Sequence, residues 1–89
     1  MITVKTKGGT GKLVYPAVQL TRESFEEAKD FAGEAVKSSY MTHKEGPEMW
    51  VELDTGTGVL TESGDWLIKI DGKIERRTDK SFNEQFERV

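Results

Sequence analysis

The stretch Gly64-Asp65-Trp66-Leu67-Ile68-Lys69-Ile70 constrains the fold of this chain more than any other. Glycine reaches positive φ without a Cβ penalty and aspartate bonds its own backbone, so the pair reads as a turn that launches a strand. In a period-two pattern Trp66, Ile68 and Ile70 share one face, while Leu67, Lys69 and Asp71 share the other. Aromatic and β-branched residues suit such a surface. The stretch reads as the central core strand, with Trp66, Ile68 and Ile70 expected against Phe25, Phe31 and Ala32 of a helix.

Around that strand, 89 residues leave room for one domain, residues 1–89, with a single modest core that removes roughly 60 to 65% of the unfolded chain's surface from water. No run approaches the roughly 18 apolar residues of a membrane span, and Met1-Ile2-Thr3-Val4-Lys5 lacks the apolar region of a signal peptide. The chain is expected to stay in the compartment where it is made, with no membrane partner. There is no cysteine, which excludes disulfides, thiolate metal sites and a cysteine nucleophile and fits a reducing cytoplasm. Thirteen basic and sixteen acidic residues give a net charge of −3, which argues against nucleic acid as a partner.

The elements follow in order. Ile2 to Lys7 alternates apolar with polar and reads as a short strand or, with the rest of residues 1–12, a loosely held arm. Gly8-Gly9-Thr10-Gly11-Lys12 fails the phosphate-loop spacing, since Thr6 and Leu13 stand where glycine and serine or threonine are needed; it reads as a flexible turn. Leu13 to Leu20 is strand-like, and Pro16, which lacks an N–H, places it near a sheet edge. Ser24-Phe25-Glu26-Glu27 has the form of a capping box, so a helix begins at Phe25 with an apolar stripe of Phe25, Ala28, Phe31, Ala32, Ala35 and Val36. Ser39 to Thr42 is ambiguous between strand and loop. Met49 to Leu53 is a strand with Met49, Val51 and Leu53 facing the core, followed by a return through Val59-Leu60-Thr61.

Asp71-Gly72 is the favoured pair for a two-residue hairpin, yet that register sets Ile74 opposite Lys69. An odd-numbered or bulged loop would pair Ile74 with Ile70 and keep the apolar residues together, and it is the expectation here. Ser81-Phe82-Asn83-Glu84 repeats the capping-box form, predicting a short helix that docks through Phe82 and Phe86. The fold class expected is α+β: a mainly antiparallel, twisted sheet of five to seven strands with one packed helix and a short C-terminal helix.

Candidate chemistry is sparse. His43 is the only histidine and has no spaced partner for a metal or a triad, so it reads as a surface residue. Without a nucleophile, a metal set or a cofactor loop, no enzymatic activity and no cofactor are expected. Two binding candidates stand out. Lys69, Lys73, Arg76 and Arg77 form a basic hairpin, on which Lys69 and Arg77 could share a face and hold an anion. Trp50 lies out of phase with Met49, Val51 and Leu53, so it faces away from the core, as aromatic anchors of interfaces do.

The motif Gly64 to Lys69 resembles the Pro-Gly-Asp-(Trp/Tyr)-(Ile/Leu)-(Ile/Val)-Lys signature of a family of small proteins of tailed bacteriophages and prophages. Ala17-Val18-Gln19-Leu20-Thr21 is similar to that family's Ala-Val-Gln-Trp-Thr, and Phe82 to Val89 to its Phe-Glu-x-x-Tyr-Glu ending. Ser63 stands in place of the motif proline, Leu20 of the Trp, Asn83 of the first Glu and Phe86 of the Tyr. The resemblance implies a phage accessory protein made in the host bacterial cytoplasm. The expectation is a non-enzymatic binding protein acting on a host protein, possible targets including an antiviral defence factor. The alternatives are a module that sequesters a nucleotide or other anionic small molecule, and a minor virion or assembly component.

Overall fold

A computed structural model describes residues 1–9 and 13–89. Residues 10–12 of the glycine-rich segment, and with them the flexible-turn reading, lie outside the described residues. The elements are β1 (Ile2–Thr6), β2 (Tyr15–Gln19), α1 (Phe25–Ala32), a 3-10 turn (Gly33–Ala35), β3 (Val36–Thr42), β4 (Gly46–Glu52), β5 (Gly58–Glu62), β6 (Trp66–Ile70), β7 (Lys73–Arg77), α2 (Asp79–Gln85) and β8 (Phe86–Arg88). The fold is α+β, as the patterning implied, and all its strand pairs are antiparallel. The strands divide between a five-stranded sheet, ordered β7-β6-β2-β1-β8, and a separate three-stranded sheet, β3-β4-β5. β1 is a sheet strand paired on both sides, with β2 and with β8, and not a free arm.

The five-stranded sheet is buried on both faces. One face carries Val18, Leu67 and Ile74 against Phe31 and Ala32 of α1 and against Met49 and Val51 of the three-stranded sheet. The other carries Val4, Ala17, Trp66, Ile68 and, from β8, Phe86, packed against Phe82 of α2. The expected pairing of Trp66, Ile68 and Ile70 with Phe25, Phe31 and Ala32 is therefore reversed: Leu67 meets α1, and the tryptophan face meets the C-terminal segment. Trp66 stacks on Phe82 with centroids 4.0 Å apart and planes 2° from parallel.

Two positional expectations also change. β6 is second from an edge, and the middle strand is β2. Pro16 is tolerated there because the β2–β6 ladder ends at Ala17 opposite Ile68, so no residue of β6 pairs with the proline. The Asp71-Gly72 turn is the two-residue hairpin after all, pairing Ile70 with Lys73 and Lys69 with Ile74. Both turn residues have positive φ, 54° at Asp71 and 80° at Gly72, as a type I′ turn requires. Lys69 sits beside Ile74 without harm because its ammonium lies 4.7 Å from the centre of the Phe31 ring, with the aliphatic stem on apolar surface.

Neither serine acts as the capping box predicted. α1 does begin at Phe25, but the Ser24 hydroxyl donates to the Gln19 carbonyl and accepts from the Thr21 amide at 3.0 Å, while Glu27 pairs with the Met1 amine. α2 starts earlier than read: Thr78 is its cap and accepts from the Ser81 amide at 3.2 Å, so Ser81 is a helix residue and not the cap.

Candidate docking face

Three strands build the outer face of the small sheet. On β4, Met49 and Val51 are wholly buried, so the alternate residues Glu48, Trp50 and Glu52 point away from the core. Register then fixes their neighbours. Trp50 lies between Ser38 of β3 and Leu60 of β5, and Glu48 between Tyr40 and Glu62. Glu52 sits opposite Gly58, which lies beside the indole: a Cβ there would make an ordinary van der Waals contact with the Trp50 ring at 3.9 Å.

The result is an apolar strip of Tyr40, Trp50 and Leu60, with Tyr40 48% and Trp50 44% exposed. Glu48, Glu52 and Glu62 border it. The Tyr40 hydroxyl donates to the Glu48 carboxylate, and this bond, ahead of partial desolvation and the charges of Glu48 and Glu45, raises the phenol above its ordinary value of 10.0. Lys37 pairs with Glu52 at 3.5 Å, leaving Glu48 and Glu62 to give the upper half of the face its negative sign.

The basic hairpin is arranged differently from the sequence expectation. Lys69 and Arg77 fall on opposite faces, because Lys69 pairs with Ile74 and Arg77 with Trp66. Lys69 lies on the α1 side with Arg76, which pairs with Asp65 at 3.4 Å. Arg77 pairs with Glu75 at 2.7 Å and donates to Gln85 at 3.0 Å. Lys73 is exposed beside the turn. Arg76 and Arg77 still border one cleft of about 340 Å³, shared with Lys73 and with Leu53, Asp54 and Thr55 of the β4–β5 turn. Its walls carry Asp54 and Glu75 as well as the cations, so it does not concentrate positive charge.

Of the predicted site residues, Trp50 alone stands on an exposed apolar surface. Tyr40 and Leu60 were missed as its companions. The signal was weak: Ser39 to Thr42 was ambiguous as a strand, and only the β3–β4 register brings Tyr40 beside Glu48. His43 lies exposed in the β3–β4 turn. Among the described residues no cluster of three or more histidine, aspartate or glutamate side chains could hold a metal, and no helix is long and apolar enough to cross a membrane.

The Gly64 to Lys69 motif occupies a structural position. Gly64, at φ 95°, donates to the Leu20 carbonyl at 2.7 Å, and the Asp65 carbonyl accepts from the Leu20 amide at 2.8 Å. The Asp65 carboxylate accepts from the Glu62 amide at 2.9 Å, and Trp66 Nε1 donates to Asp79 at 2.9 Å. The motif thus fastens the link between the two sheets to β2 and α2. No family model, curated protein or solved structure matches the chain.

Proposed function

We propose that this is a small non-enzymatic binding protein that docks a partner protein of basic surface on the outer face of the three-stranded sheet. The observation that carries the reading is Trp50, held half-exposed on a core strand between Ser38 and Leu60, with the Tyr40–Glu48 pair next along the same face. Large, rigid aromatics ringed by polar groups are where binding energy concentrates at interfaces, and the carboxylates favour a partner with lysine or arginine around an apolar centre. The resemblance of Gly64 to Lys69 to the phage signature supports the finer reading: a phage accessory protein acting in the bacterial cytoplasm on a host protein, a defence component among the candidates. The anion-sequestering alternative draws less support, because Arg76 and Arg77 already have carboxylate partners.

Affinity capture from bacterial lysate with matched variants tests the reading. Trp50→Ala removes apolar contact and is expected to weaken capture about tenfold or more at any salt. Glu48→Lys and Glu62→Lys are expected to weaken it most at low salt, whereas Lys73→Glu leaves it unchanged. Loss of capture with Lys73→Glu alone would move the site to the hairpin.

A further inference from the structure

The edges of the two sheets are not equally protected. β7 carries Lys73, Glu75, Arg76 and Arg77, and β8 is three residues long with Glu87 paired to Lys5. β5 ends on the charged Glu62 and contains Thr61, which has no exposed surface. β3 differs. Its register shifts between Val36 and Ser38, at its one charged residue Lys37, but from Ser38 to Thr42 it runs five residues in regular register with β4, uncharged and without proline, and four of the five residues are exposed. Charges, prolines, bulges and shortness are the devices that keep an edge from pairing with another strand, and this run has none of them.

We propose that β3 is a homodimer seam: two copies pair β3 with β3, antiparallel about a two-fold axis at Tyr40, joining the small sheets into one of six strands. The register follows from charge. With Tyr40 opposite Tyr40, Ser39 meets Met41 and Ser38 meets Thr42, so the whole uncharged run pairs with itself and the cation Lys37 falls beyond its end. A run that must face its own copy gains from being uncharged, because like charges directly opposite are destabilising, whereas a run meant for a charged partner would gain from the opposite sign. Both faces of the edge also benefit. Tyr40 on the outer face and Met41 on the inner face are 48% and 40% exposed, and a neighbouring strand would cover each. The axis brings Tyr40 of both copies together, so each copy completes the other's docking face.

Sedimentation equilibrium of the full chain from about 1 µM to about 1 mM tests this independently of any partner protein. A concentration-dependent monomer–dimer equilibrium is expected. Tyr40→Lys, which sets two ammonium groups on the axis, is expected to raise the dimer dissociation constant about tenfold or more. Circular dichroism verifies that the variant folds. Because the chain has no cysteine, Tyr40→Cys gives a second readout: it is expected to form an intermolecular disulfide under mild oxidation, while Glu84→Cys on α2 does not. A monomer throughout the range overturns the proposal. So does a dimer indifferent to Tyr40→Lys that Tyr40→Cys fails to cross-link. A monomer that still captures a basic partner would leave the docking reading standing without the seam.

Discussion

Asp79 shows how much a single carboxylate organises here. Its Oδ1 accepts from Trp66 Nε1 at 2.9 Å, Asn83 Nδ2 at 3.0 Å and Gln19 Nε2 at 3.3 Å, tying β6 and β2 to the first turn of α2. Removing an acceptor strands a mostly buried indole N–H, so Asp79→Ala is expected to cost about 1–3 kcal/mol in a denaturant melt. Tyr40 makes a second residue-scale prediction. Its raised pKa means the neutral phenol is the form the fold favours; the stability it contributes is present below the ordinary value near 10 and is lost as pH rises through the higher folded value. Ultraviolet titration in a Tyr15→Phe background is expected to show this tyrosine ionising late, and Glu48→Ala, which removes the acceptor, to bring it back toward its ordinary value. A late titration that persists with Glu48→Ala would assign the shift to something other than Glu48.

Among the elements, β6 explains both what the residues made legible and what they hid. Period-two patterning locates the strand and its turn, but it cannot say which face takes the helix when Leu67 and Ile68, on opposite faces, are both wholly buried. The hairpin expectation failed for the same reason. An odd loop seemed necessary only if one face was polar; with both faces covered, Asp71-Gly72 keeps its natural two-residue turn. Pro16 misled because edge placement is one way to spare a missing N–H, and the end of a ladder is another. Trp50 was legible because phase alone marks a large aromatic on the wrong side of a core strand, while Tyr40 required a pairing that spacing does not supply. The reversed face makes a measurable claim. Ile68→Ala is expected to cost about 2–5 kcal/mol and to couple with Phe82→Leu but not with Phe31→Leu. Coupling to Phe31 instead would restore the original orientation.

At the scale of the whole molecule, the two sheets divide the labour. The five-stranded sheet is covered on one face by α1 and the small sheet and on the other by α2, with Phe86 of its own edge strand β8 in the same cluster, so little of it is free to meet a partner. The three-stranded sheet uses only its inner face for the core and leaves Trp50, Tyr40 and Leu60 outward under a border of carboxylates. The most direct measurement is the retention of a bacterial protein by immobilised wild-type chain, Trp50→Ala and Lys73→Glu side by side. The account predicts retention by wild type and Lys73→Glu and its loss with Trp50→Ala. Retention that survives Trp50→Ala and disappears with Lys73→Glu, or no retention by the wild type at all, would contradict it.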